Sequence, residues 1–254
     1  MIEALVDRGW TVLEDLVPQA FCARLTSALE SAYADQRALQ VRNGVGDGAD
    51  GTVHHLPCAG GVFLEALELV AARAPLDAFF GGAPFILNTY GGILNRPQDA
   101  SYVGRVHRDQ RTFSGDVRLM AQLLVMLDDF TEENGATYLL DGSHRRRDRP
   151  PDDEFFRAAA RATGAAGSVV MFDSNLWHAA GVNRTGAPRR GLTLAFTRPF
   201  VKQQLDYPRA LGYERAGSFS PVLRQLLGYN ARVPVSLDEW YQPPERRMYQ
   251  RDQG

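Results

Sequence analysis

The sequence predicts a mainly β protein, a jelly roll or sandwich, with flanking α-helices. Three observations carry this. From about residue 84, short runs rich in β-branched and aromatic residues follow one another, each bounded by turn residues. The first third instead places apolar residues at helical spacing. No regular strand–helix–strand alternation of the kind that builds a parallel sheet is visible.

The elements follow in order. In "PQAFCARLTSALESAYADQRAL", Pro18 suits a helix start, and Phe21, Leu25, Ala28, Leu29 and Ala32 form one stripe. "GGVFLEALELVAARAPL" repeats the pattern with Phe63, Leu67 and Val70. Between them, residues 42–61 carry Gly44, Gly46, Gly48 and Gly51 and read as a mobile loop, either a lid or a tolerated insertion. "PFILNTYGGILN", "RLMAQLLVMLDDF", "GATYLLDGSH", "AGSVVMFDS" and "RGLTLAFTRPF" read as strands, with one helix, "DDEFFRAAARAT", interrupting them. The end of the chain reads as a short helix and an ordered tail whose Trp240 and Tyr241 pack on the barrel or help close a pocket. With no repeat and no linker, one domain is expected over 1–254: a helical part at about 1–82, a jelly-roll core at about 83–200, and a C-terminal helix and tail at 201–254.

Such a length buries a core without a disulfide or metal staple. The 44% apolar and 23% charged composition is that of an ordinary globular protein, and a net charge of −2 gives nucleic-acid binding no electrostatic support. Cys22 and Cys58 lack a CxxC spacing and read as reduced thiols. The acidic N-terminus has no apolar signal-peptide region, and no run approaches a membrane span, so a cytoplasmic location is expected.

The chemistry starts at "VHRD". His107 and Asp109, two apart, share a face if a strand runs through them, and imidazole with carboxylate suits iron, manganese, zinc or cobalt. By itself the pair is more often a solvated turn. A facial triad needs one more histidine. Of the five histidines, His54 and His55 lie in the glycine-rich stretch and His144 among arginines. His178, at the end of a β-run, is the best third ligand. Beyond it, Arg189 shares a strand face with Gly191, Thr193, Ala195 and Thr197, whereas Arg190 shares one with Leu192, Leu194 and Phe196. The small, polar face is the one that would line a cavity, so Arg189 is placed to clamp a carboxylate by paired hydrogen bonds.

In these pieces the sequence resembles the phytanoyl-CoA dioxygenase family of Fe(II)/2-oxoglutarate-dependent oxygenases. His107-Arg108-Asp109 resembles the family's HxD; "LLVMLDDFTEENGATYLLDGSHR" is similar to its strand, acidic turn, ENGA and GSH passage; "GSVVMFDSNLWHAAGVN" resembles the segment of the distal histidine, with Asn183 five positions on. The resemblance covers roughly residues 85–200. It implies a double-stranded β-helix, cupin-like, with iron held by His107, Asp109 and His178, 2-oxoglutarate paired to Arg189, and O₂ as oxidant. It further implies oxidative decarboxylation of 2-oxoglutarate to succinate and CO₂, with hydroxylation of a small molecule. Asp109 favours an oxygenase over a halogenase, which opens that position to halide. Several members carry a serine where this chain has Ala180, so Arg189 needs another helper, and Thr193 is the candidate.

Gln122, set among Met120, Leu124 and Met126, needs a partner if buried. It, Asn88 and Tyr90 either face the cosubstrate or substrate, or close internal hydrogen bonds. Trp177 reads as packing. Arg145, Arg146, Arg147 and Arg149, and Arg105, Arg108 and Arg111 nearer the metal pair, are a solvated surface run or attract an anionic substrate. Two other classes of function are open: a metal-binding jelly roll without turnover that serves to bind a ligand, and a cupin-like isomerase or hydrolase that does not use 2-oxoglutarate.

Overall fold

A computed structural model describes residues 2–97, 104–247 and 253. Among the described residues nine strands form two antiparallel sheets. They are β1 (Trp10–Leu13), β2 (Thr52–Val53), β3 (Ile86–Asn95), β4 (Met120–Met126), β5 (Thr137–Leu139), β6 (Ala160–Ala162), β7 (Val169–Asp173), β8 (His178–Ala179) and β9 (Arg189–Thr197). The larger sheet runs β1-β7-β4-β9-β3-β2 and the smaller β6-β5-β8. The helices are α1 (Ile2–Asp7), α2 (Gln19–Arg42), α3 (Gly46–Ala49), α4 (Val62–Arg73), α5 (Leu76–Phe80), α6 (Asp152–Ala158), α7 (Tyr207–Leu211), α8 (Pro221–Leu226) and α9 (Leu237–Trp240).

Strand alternation divides the larger sheet into two faces with different tasks. Leu192, Leu194 and Phe196 of β9, Leu123 and Val125 of β4, and Val169 and Met171 of β7 share a core with Leu25 and Leu29 of α2 and Phe63 and Leu67 of α4. On the opposite face Leu124, Met126, Val170 and Phe172 meet Leu139 and Ala162 of the small sheet. Burying a large apolar side chain is worth roughly 1.5–3 kcal/mol. The buried stripe Cys22, Leu25, Leu29 and Ala32 therefore anchors α2 although most of its other positions are polar. The helix comes so close to β3 that a Cβ on Gly92 would stand 2.4 Å from Leu29 Cδ1.

Residues 42–61 are not the open loop the glycines suggest. They hold α3, β2 and a 3₁₀ turn over Leu56–Ala59, and β2 pairs with β3 through Thr52↔Ile93 and Val53↔Gly92. The ties come from one polar stripe of α2. Tyr33 donates to Asp50 and Gln40 Nε2 to the Thr52 carbonyl at 2.9 Å. One Gln36 amide brackets the His54 backbone, accepting from its N–H at 2.8 Å and donating to its carbonyl at 2.7 Å. The N-terminal third thus supplies two strands, β1 and β2, to the larger sheet rather than helices alone. The interrupting helix ends at Ala158 and the chain turns straight into β6. Trp240 and Tyr241 are largely exposed, and the tail beyond Arg247, Gln253 apart, lies outside the described residues. Among the described residues no helix is long and apolar enough to cross a membrane.

The turn between β7 and β8 is an Asx turn: Asp173 Oδ1 accepts the Asn175 N–H at 2.8 Å. Burial pushes the Asp173 carboxyl up to about 6, against the hydrogen bonds from Asn175 and the charge of Arg118, which pull it down. Between about pH 4 and pH 6 the folded chain holds a proton that the unfolded chain has released. This group therefore lowers stability as pH rises through that window, and the loss is complete above about 6. Asp173→Asn keeps the turn's acceptor and removes the charge. Urea unfolding should show the variant more stable than the wild type at pH 7.5, by up to about 2–3 kcal/mol, and nearly equal to it at pH 4. A pH-independent difference would show that the carboxyl titrates normally.

Candidate metal centre

His107 and His178 form an isolated antiparallel bridge. The His107 N–H donates to the His178 carbonyl at 2.9 Å and the His178 N–H to the His107 carbonyl at 2.8 Å. Directly opposed residues of an antiparallel pair project to the same side, and the two imidazoles stand 4.2 Å apart, centroid to centroid. No strand runs through the HxD pair; the single bridge sets the register. Each ring donates Nδ1–H to a main-chain carbonyl two residues back, His107 to Arg105 at 2.7 Å and His178 to Leu176 at 2.9 Å. A carbonyl only accepts, so the tautomers are fixed and both Nε2 lone pairs are free.

Those Nε2 atoms converge on Asp109, each 3.7 Å from one of its carboxylate oxygens. The three ligand atoms lie within 4.8 Å of one another. Asp109 Oδ2 is buried and has no hydrogen-bond partner among the described residues. An unpartnered buried carboxylate oxygen is costly, and a divalent cation between the three groups would compensate it. Burial drives His178 down to about 4, opposed by the negative charge of Asp109, so it is neutral at pH 7, the form a metal accepts. Two imidazoles and a carboxylate, with no thiolate, fit Fe(II).

Arg189 enters the same cavity and is 3% exposed. Its guanidinium lies over Phe130 at 4.0 Å, and its Nε is buried without a hydrogen-bond partner among the described residues. Burial lowers it to about 10, with Asp128 opposing, so it remains charged at pH 7. Arg190 leaves by the other face; its guanidinium donates twice to Asp128, at 2.9 and 3.0 Å, and its main-chain N–H once, at 2.7 Å. Asn183 fixes the approach to β9. Its amide donates to the carbonyls of Asn95 and Ala187, each at 2.8 Å, and its Oδ1 accepts from the Thr185 N–H and hydroxyl.

The cavity measures about 200 Å³. His107, Asp109, His178, Arg189, Gln122, Thr193 and Ala180 all line it. Gln122 is buried, and its Oε1 has no hydrogen-bond partner among the described residues. Asn88, open from the sequence between the cosubstrate and an internal hydrogen bond, is absent from the lining. The register of β3 against β9 shifts between Leu87 and Thr89. Asn88, at that bulge, donates its amide to the Lys202 carbonyl at 3.0 Å, and Thr89 and Gly91 face the cavity instead. Tyr90 is also absent from the lining and belongs to the helix-side core.

Arg108 points away from its neighbours His107 and Asp109. It stacks on Trp177, 4.6 Å from the ring centroid, and donates to the Arg147 carbonyl. Arg146 and Arg149 are occupied by Glu154 and Asp152. None of these arginines lines the cavity. Trp177 packs with Val106, Leu140, Phe155 and Ala179. What the sequence did not signal is the wall supplied by β2 and its neighbours: Thr52, Val53, His54, Thr89 and Gln204. The one hint was the Gly91–Gly92 pair, since a Cβ on Gly91 would stand 2.7 Å from the Val53 carbonyl oxygen.

Comparison with known proteins agrees with this geometry. The family model for phytanoyl-CoA dioxygenase (PhyH) matches residues 5–191. The chain is 43% identical over 149 residues to an uncharacterised protein of Mycobacterium tuberculosis, covering 58% of this chain and 54% of that one. It is 30% identical over 159 residues to the dioxygenase trt7 of Aspergillus terreus, covering 57% and 52%. The chain thus spans about half the length of the curated relatives it matches. Among solved structures, AviO1 of Streptomyces viridochromogenes superposes with a TM-score of 0.61 at 24% identity, over 79% of this chain and 94% of that one. HygX of Streptomyces hygroscopicus, solved with nickel and 2-oxoglutarate bound, gives 0.62 at 15% identity, over 80% and 87%; at such identities the likeness speaks for the fold. The match of the family model over most of the chain places this protein in the phytanoyl-CoA dioxygenase family.

Proposed function

We propose that the protein is an Fe(II)- and 2-oxoglutarate-dependent hydroxylase of a small molecule, built on a double-stranded β-helix within one domain. The observation that carries the reading is a single cavity that joins a His–Asp–His cluster to a buried guanidinium with an unpartnered nitrogen. A dicarboxylic 2-oxo acid answers both ends, chelating at the metal and pairing at the arginine. HygX and EctD, similar in fold, were solved with 2-oxoglutarate.

Bound Fe(II), with 2-oxoglutarate and O₂, supplies the chemistry: decarboxylation to succinate and CO₂ coupled to hydroxylation of a C–H bond. The protein's part is positional. His107 and His178 offer Nε2 atoms in fixed tautomers. The Asp109 carboxylate would hold the metal together with the two imidazoles. Arg189 orients the distal carboxylate, and Thr193 and Gln122, on the paired neighbouring strands β9 and β4, offer a hydroxyl and an amide. Phe172, which packs edge-on against His178 at 4.9 Å, and Leu124 keep water from that side. The substrate's reacting group would approach past Thr52, His54 and Gln204, a polar wall without formal charge, which gives an anionic substrate no support at that point.

Two measurements test the reading. Anaerobic addition of Fe(II) and 2-oxoglutarate should develop a weak visible charge-transfer band, and His178→Ala should abolish it; no band in the wild type, or an undiminished band in the variant, rejects the iron chelate. Arg189→Ala should weaken 2-oxoglutarate binding by about 2–5 kcal/mol, roughly 30-fold or more in Kd, while the band still forms at saturating 2-oxoglutarate. Unchanged affinity in that variant would assign the carboxylate to another residue.

A further inference from the structure

The three ligands are not held alike. Each imidazole is tied by its own Nδ1–H to a carbonyl. Among the described residues no hydrogen bond holds the Asp109 carboxylate, whose partners are the two Nε2 atoms at 3.7 Å. Its position is therefore set by the backbone on either side. On one side that backbone is pinned by the bridge between His107 and His178. On the other it is pinned at Gln110, which is 6% exposed. The Gln110 N–H donates to the Ser174 carbonyl at 3.0 Å. Its side-chain Nε2 donates to the Thr112 carbonyl at 2.6 Å and to Asn175 Oδ1 at 3.2 Å. Asn175 is 1% exposed and is itself held, its N–H by Asp173 and its amide by the Ser114 hydroxyl at 3.0 Å.

We propose that Gln110 is a positioning residue for the metal centre: its clasp on Asn175 fixes the segment carrying Asp109, the ligand with no hydrogen bond of its own, against the segment carrying His178. The proposal rests on the reading of His107, Asp109 and His178 as metal ligands. The two pins divide the work. The backbone bridge sets the distance between the imidazoles. The Gln110–Asn175 clasp sets where the carboxylate stands relative to them, through a chain too short to wander when both its ends are fixed. Loss of the clasp leaves the histidines paired and frees the aspartate, so the damage should appear as a carboxylate effect.

The test is a Co(II) titration followed by visible absorption and calorimetry, with a thermal melt of each apo-protein. Gln110→Met fills the buried volume and removes the side-chain hydrogen bonds, and Asn175→Ala releases the clasp from its other end. Each should weaken Co(II) binding by about 10–100-fold, the range typical of residues that orient metal ligands, and should alter the absorption spectrum of the bound ion. In an Asp109→Ala background Gln110→Met should cause no further loss, because the group through which it acts is gone. Retained affinity and spectrum in both clasp variants overturn the proposal. So does an equal loss in the presence and absence of Asp109, which would assign Gln110 to general folding. A wild type that binds no Co(II) would instead overturn the metal reading itself, so the two failures are told apart.

Discussion

The arrangement depends on one reciprocal pair of hydrogen bonds, between the main chains of His107 and His178. It joins parts of the chain far apart in sequence with the shortest antiparallel contact available, and it needs no continuous strand on the His107 side. Because opposed residues in such a pair face the same way, the bridge delivers two imidazoles to one side with their centroids 4.2 Å apart. The remaining features elaborate it. The main-chain carbonyls of Arg105 and Leu176 choose the tautomers, and the Asp173–Asn175 turn shapes the approach to His178. The His178 side of the bridge lies in the small sheet, whose β5 pairs with β8 through Leu139↔His178.

What was legible in the sequence follows from how local each signal is. The two faces of β9 could be read because small and polar residues alternate with large apolar ones, and the structure separates Arg189 from Arg190 along that line. Phe21, Leu25, Ala28, Leu29 and Ala32 read as one helix stripe; Leu25, Leu29 and Ala32 are buried together, and Phe21 and Ala28 pack partly buried against the same core. The wall built by β2 was hidden. Its two residues are too few to show a period, and the bonds that hold the segment come from Tyr33, Gln36 and Gln40. At helical spacing these three look like an ordinary solvated stripe; nothing local says that they face backbone rather than water. Asn88 stood open between the cosubstrate and an internal hydrogen bond; it makes a hydrogen bond to the Lys202 carbonyl, at a register shift after Leu87 that lies in the pairing, not in the composition.

The arginines show why charge near a ligand in sequence is weak evidence of charge near it in space. Arg108 stands between His107 and Asp109 in the chain, yet its side chain leaves the pair and stacks on Trp177. The positive charge that does reach the cavity comes from Arg189, on a different strand. Sequence distance gave the wrong neighbour, and strand parity gave the right one.

Electrostatics within the cavity supplies the last step. Buried charges are tolerated when they are compensated nearby. Arg189 contributes one positive charge and Asp109 one negative, and His178 is held neutral. On the proposed reading a divalent cation adds two positive charges, which a lone carboxylate does not balance. A ligand carrying two carboxylates closes that difference, with one at the metal and one at the guanidinium, leaving the loaded cavity without net charge. A neutral or singly charged ligand would leave either the cation or Arg189 under-compensated. The same constraint bears on the substrate: once metal and dicarboxylate are in place, a further anion would add an unpaired charge, and the wall of Thr52, His54 and Gln204 holds no formal charge to receive it.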